Sequence, residues 1–292
     1  MQPISSILFP VDFSPRCRGV VPLVKATAKK LGSKVTLFYA VQLPQGVFAA
    51  EGAYPLAFDV EAILSNGRDE LLRFYGEAAG ASAETTETAT AAEIGDPAVS
   101  IVEYAAVKHI DLIMMPTHGY GKFRGLLLGS VTAKVLHDAA CPVWTAAHTG
   151  DAESPTHIGC KSVLCALDLK SGSADLLRHA ADFASRFDAQ VRIVHAVSEA
   201  IPGAGAMTGM NFLEFLMDAA REEIDNIQSS VGTRFDVCLS AMPVAHWVRQ
   251  TACHHAADLV VIGRGRLQGA LGRLRTNAYN IIREAPCPVL SF

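Results

Sequence analysis

The residues best placed to do chemistry lie in one stretch, Met114-Met115-Pro116-Thr117-His118-Gly119-Tyr120-Gly121-Lys122-Phe123-Arg124-Gly125-Leu126-Leu127-Leu128-Gly129-Ser130-Val131-Thr132. An apolar run leads into a glycine-dotted loop, and Gly129-Ser130 opens a helix. Glycine lets backbone approach a ligand closely and reach positive φ. Free N–H groups at a helix start favour an anion. Ser130 either caps that helix or donates its hydroxyl to a phosphate oxygen. No Gly-Lys-Ser/Thr follows the loop, so this is not a Walker A sequence. A second candidate is Asp12, at the end of Ile7-Leu8-Phe9-Pro10-Val11-Asp12. Its carboxylate either accepts hydrogen bonds from sugar hydroxyls or caps the following loop through Ser14. Other candidates are poorer. Cys253, His254 and His255 are adjacent on a helix and point in different directions, which does not suit a metal. His118 lacks a visible Ser or Asp partner for a triad. No paired carboxylates stand out.

The elements that must position these residues are written twice. Ile7–Asp12 is echoed by Val163-Leu164-Cys165-Ala166-Leu167-Asp168, and Val35–Val41 by Val191–Val197. Asp111–Met115 recurs as Asp258–Ile262, and Cys141-Pro142-Val143 as Cys287-Pro288-Val289. Four segments recurring in the same order mean a duplicated domain. Apolar runs on consecutive positions suit strands covered on both faces. Helical stretches lie between them: about 18–31, 58–78 and 98–108, then 174–187, 211–229 and 245–255. More polar strands at about 84–91 and 234–239 belong nearer a sheet edge. The order β-α-β-α-β-α-β-α-β predicts an α/β chain of two tandem, doubly wound domains, each on a five-stranded parallel sheet. Such sheets bind ligands at the carboxyl ends of their strands. In each copy the strand-terminal Asp and the glycine-rich loop would meet there. The domains are expected at residues 1–148 and 158–292, joined by a polar linker at 149–157.

The bulk properties agree with this plan. A chain of 292 residues, half of them hydrophobic, can bury two cores. A net charge of −4 argues against a general nucleic-acid binder. The N-terminus shows no signal peptide, and no apolar run approaches the roughly 20 residues of a membrane helix. The seven cysteines are scattered and odd in number, which predicts a reduced, cytoplasmic chain.

Taken together, Phe9-Pro10-Val11-Asp12-Phe13-Ser14, Thr117-His118-Gly119, Leu127-Leu128-Gly129-Ser130-Val131 and Cys-Pro-Val resemble a tandem universal stress protein. The resemblance spans nearly the whole chain, twice. It implies domains like the adenine nucleotide alpha hydrolases. It also implies a cytoplasmic stress-response protein that binds ATP with Mg²⁺ in its first domain, for signalling rather than fast catalysis. The ATP-binding branch carries Gly-x2-Gly-x9-Gly-Ser/Thr. Gly119 and Gly129-Ser130 fit the second part, with Pro116 where the first Gly belongs. The implied site comprises Pro10, Val11, Asp12, Val41, Met115, Pro116, His118, Gly119, Gly129, Ser130 and Val131. Asp12 and Pro10 would serve the ribose and adenine side, and Val41 the adenine. The family also implies a pseudo-dimer of the two halves through Val143-Trp144 and Val289-Leu290, and a homodimer of the chain. Neither nucleic acid nor membrane is an expected partner. Two alternatives stand beside this reading: a dimeric, non-nucleotide interaction scaffold, and a slow ATP hydrolase.

The second copy keeps Asp168 and Val197, and Gly263 restores the first glycine. Arg275-Thr276 replaces Gly-Ser. Its four arginines, Arg264, Arg266, Arg273 and Arg275, either bind an anion or form salt bridges.

Overall fold

The computed structural model describes residues 3–42, 59–78, 87–118, 128–146, 159–197, 212–264 and 276–292. Two compact units are built on Pro3–Trp144 and Gly159–Phe292. The first contains β1 (Ser6–Pro10), α1 (Pro15–Leu31), β2 (Lys34–Val41), α2 (Val60–Ala78), β3 (Thr88–Ile94), α3 (Pro97–Val107), β4 (Leu112–Met115), α4 (Ser130–Asp138) and β5 (Val143–Thr145). The second contains β6 (Ser162–Ala166), α5 (Ser173–Phe187), β7 (Gln190–Ala196), α6 (Phe212–Val231), β8 (Asp236–Ser240), α7 (Val244–His254), β9 (Leu259–Ile262), α8 (Thr276–Glu284) and β10 (Val289–Ser291).

The strands of the first unit lie in the order β3-β2-β1-β4-β5, and those of the second in the order β10-β9-β6-β7-β8. Pairing is parallel, with Ile7 beside Val35 and Leu112, and Val163 beside Val191 and Leu259. The central strands are apolar on both faces because helices cover both. Ile7, Leu8, Phe9, Leu112, Ile113 and Met114 are fully buried. Each such side chain contributes about 1.5–3 kcal/mol of burial. β3 and β8 are the half-exposed edge strands, as their polarity predicts. β3 starts four residues later than the composition of 84–91 suggests, and it runs on to Ile94. Its first residue pairs with Val35, so register against β2, not local polarity, fixes where it begins.

Local sequence sets the helix ends. Ser14 Oγ accepts the Cys17 amide at 3.1 Å, and Pro15 occupies the first helical position of α1. Gly32 ends that helix at φ +68°, and Asp188 does the same for α5 at φ +52°. Asp96 Oδ1 accepts the Val99 amide at 3.0 Å to open α3.

A carboxylate closes the amino-terminal edge of each sheet. Asp111 Oδ2 accepts from Ser5 N at 2.9 Å, Ser5 Oγ at 2.8 Å, Ser6 N at 2.9 Å and Ser6 Oγ at 2.9 Å. Asp258 Oδ2 accepts from Lys161 N at 2.7 Å and Ser162 N at 2.9 Å. Burial pushes the Asp111 carboxyl up, but the Ser5 and Ser6 hydrogen bonds outweigh it and hold the group below its ordinary value.

All seven cysteines are free thiols. Burial pushes Cys160, Cys165 and Cys287 up to about 12, and Cys17 higher still, so these four stay protonated near neutral pH. Among the described residues, no helix is long and apolar enough to cross a membrane.

Candidate functional site

A cavity of about 740 Å³ opens at the carboxyl ends of β1, β2 and β4. Pro10, Val11 and Asp12 line it from the end of β1, and Met115, Pro116 and His118 from the end of β4. Gly129, Ser130, Val131 and Thr132 line it from the start of α4. Elements distant in sequence meet here because a parallel sheet brings all its strand ends to one edge. Gly119 lies outside the described residues.

Asp12 caps the following turn and also borders the cavity. Its Oδ1 accepts the Ser14 amide at 2.9 Å, and the residue still lines the cavity. The turn is tight enough to place Phe13 at φ +61°, a left-handed conformation that costs a side-chain-bearing residue of order 1 kcal/mol. The Phe13 ring packs edge-on against Tyr39 at 4.8 Å and Phe74 at 5.5 Å, which offsets that strain. The second copy repeats the device. Lys170 N donates to Asp168 Oδ1 at 3.2 Å, and Leu169 sits at φ +53°.

The start of α4 is tied to the end of β4. Gly129 N donates to Thr117 O at 3.0 Å, and Thr132 Oγ1 donates to Pro116 O at 3.1 Å. Pro116, which has no N–H to offer, thus contributes its carbonyl. Gly129 has φ −58°, so positive φ is not the reason for glycine here. A Cβ would meet Thr117 O at 3.2 Å and His118 Cα at 3.4 Å, so close approach is the reason. Gly129 itself is the N-cap, without a side-chain bond, and Ser130 is the first helical residue. Ser130 therefore does not cap the helix, and its exposed hydroxyl borders the cavity. The first intrahelical bond is Ala133 N to Gly129 O at 2.8 Å. The amides of Ser130, Val131 and Thr132 precede it, so the helix supplies them no carbonyl.

Val41 ends β2 but does not line the cavity. Its carbonyl accepts the Gly95 amide at 3.1 Å and its side chain is buried. Ala40 and Gln42, its neighbours in the chain, line the cavity instead, with Phe38 and Tyr39. Pro97 and Ile101 of α3 complete the wall. The sequence reading missed both. The Gly95-Asp96-Pro97 helix start following β3 was the available sign, since it must open on the same sheet edge.

In the second copy, Arg264 follows the end of β9 and is only 2% exposed. Its backbone N donates to Phe292 O at 2.8 Å. A side chain this deep is not offered to an anion in solvent. Arg266, Arg273 and Arg275 lie outside the described residues. Gly263 has room for a Cβ, whose closest neighbour would be Leu176 Cδ2 at 3.5 Å. Among the described residues, no group of three or more His, Cys, Asp or Glu could hold a metal.

The sequence profile of the Universal stress protein family matches residues 3–146 and again residues 159–292. The chain therefore belongs to the universal stress protein family, as two tandem domains with the fold of the adenine nucleotide alpha hydrolases. A universal stress protein of Methanocaldococcus jannaschii is 33% identical over 140 residues, covering 47% of this chain and 78% of the relative. One from Thermus aquaticus is 28% identical over 138 residues, covering 47% of this chain and 95% of the relative. Among solved structures, a universal stress protein from Archaeoglobus fulgidus aligns over 98% of this chain and 95% of its own, with TM-score 0.65 and 20% identity. A functionally unknown protein from Pseudomonas aeruginosa aligns over 99% and 92%, with TM-score 0.67 and 18% identity.

Proposed function

We propose that the first domain binds an adenine nucleotide, ATP, and that the protein acts in a cytoplasmic stress response by binding and signalling rather than by fast turnover. One observation carries this reading: a single cavity of about 740 Å³ places a carboxylate on one wall and the open amides of a helix start on another. That volume lies within the range of small-molecule sites. Asp12 suits the ribose hydroxyls, which donate, and the amides of Ser130 to Thr132 suit the phosphates. Mg²⁺ would arrive on the phosphates. Asp12 already holds the Ser14 amide, a role that favours binding over proton abstraction.

Calorimetric titration of the intact chain should show micromolar ATP binding, about −8 kcal/mol. Asp12→Asn keeps an acceptor for Ser14 N but loses the charge. It should weaken ATP about tenfold and leave the melting temperature nearly unchanged. No heat and no thermal shift with millimolar ATP on the natural chain would sink the nucleotide reading and favour a non-nucleotide scaffold.

The pseudo-dimer of halves and the homodimer are companion proposals, supported by the two-domain architecture of the family. Residues 1–148 and 158–292, expressed apart and mixed, should sediment as a one-to-one complex. The intact chain should sediment at twice its 31.1 kDa. Species that stay monomeric at high micromolar concentration would rule out each in turn.

A further inference from the structure

Next in sequence to residues that line the cavity stands an ion pair between α4 and the start of α3. Lys134 Nζ lies 3.7 Å from Asp96 Oδ1, with the two side chains 49% and 58% exposed. Asp96 opens α3, and the next residue, Pro97, lines the cavity. Lys134 lies on α4, one turn beyond Ser130 and three residues beyond Val131, both of which line it. Helical side chains lean toward the helix amino terminus, so the Lys134 stem leans toward the first turn of α4, whose residues line the cavity.

The pair is held loosely. At 3.7 Å it is beyond hydrogen-bond distance, and exposed pairs of this kind contribute about 0–1 kcal/mol. Asp96 also has a second task, accepting the Val99 amide at 3.0 Å, so it does not depend on Lys134 for its place. A phosphate chain at the start of α4 would bring more negative charge than one carboxylate, with oxygens that accept charge-assisted hydrogen bonds. Exchanging Asp96 for phosphate therefore costs Lys134 little and gains a stronger partner.

We propose that Lys134 is a specificity-determining residue of this site. It swings from Asp96 to the phosphates of the bound nucleotide and so selects phosphorylated ligands over the bare nucleoside. Asp96 is the competitor that sets how strongly it does so. This inference rests on the adenine-nucleotide reading above.

The test is calorimetry on the full chain with ATP and with adenosine, the latter by displacement of a bound fluorescent adenosine analogue where heats are small. Lys134→Ala should weaken ATP about tenfold and leave adenosine unchanged. Lys134→Arg should keep most of the preference. Asp96→Asn retains the helix cap, because Asn caps as well as Asp. It should tighten ATP several-fold with no effect on adenosine, and the ATP affinity should fall less steeply with salt in Lys134→Ala than in the natural chain. An unchanged ATP-to-adenosine ratio in Lys134→Ala, or an equal loss for both ligands, overturns the role of Lys134 while leaving the nucleotide reading intact. A natural chain that binds neither ligand overturns both.

Discussion

In Gly129→Arg, millimolar ATP should leave the melting temperature unmoved. The natural chain, at a hundredfold excess over a micromolar dissociation constant, should gain about 2.7 kcal/mol, a shift of roughly 5 °C or more. The geometry behind this is local. Gly129 N bonds Thr117 O at 3.0 Å, and the space a Cβ would take is bounded by that same oxygen at 3.2 Å and His118 Cα at 3.4 Å. Neither neighbour is the end of a flexible side chain. Any side chain there must push α4 away from β4, carrying the Ser130, Val131 and Thr132 amides with it. An arginine also fills the mouth of the cavity. Because arginine precedes the threonine at the matching place in the second copy, the substitution asks whether that copy's sequence alone disables a site. Differential scanning fluorimetry with and without ATP reads the result. A variant that still responds to ATP would put the phosphates elsewhere.

Asp111→Ala should be the most destabilising polar substitution in the first domain, by about 2–3 kcal/mol in urea unfolding. One carboxylate oxygen takes four donors from Ser5 and Ser6, and removing it leaves the entry to β1 without its acceptor. The sum is less than four separate bonds because water reaches Ser5. Asp258→Ala, with two such donors, should cost about half as much. The pH dependence has a definite sign. Asp111 is held below its unfolded value of about 3.9, so its stabilisation is complete above that pH. It is lost as pH falls through the lower, folded value. Asp111→Asn should flatten the acid limb of stability below about pH 4. An equally steep limb in Asp111→Asn would assign acid sensitivity to other carboxylates.

Much of this was legible from the residues. Consecutive apolar positions gave β1, β4, β6 and β9, and the polarity of β3 and β8 placed them at edges. Both depend on burial, which leaves its mark at every position of a strand. The cavity walls at Pro10–Asp12, at Met115, Pro116 and His118, and at Gly129–Val131 lay at strand and helix ends that the parallel architecture brings together. What was not legible depends on register and on backbone partners. Val41 reads like a site residue, but its carbonyl is taken by Gly95. Ser130 reads like a cap, but the cap is Gly129 and Ser130 is already the first helical residue. Asp96 and Lys134 are unremarkable as single letters, and only α3 and α4 lying side by side makes them neighbours.

The two edges of each sheet have had different histories. The carboxylates that clasp the amino-terminal edge occur in both copies of the duplication. The loops leading from the carboxyl ends of the strands differ in sequence, with Gly129-Ser130 in one copy and Arg275-Thr276 in the other. Because the clasp sits at the far end of the strands from the ligand loops, a lineage can rewrite those loops without unpicking the scaffold.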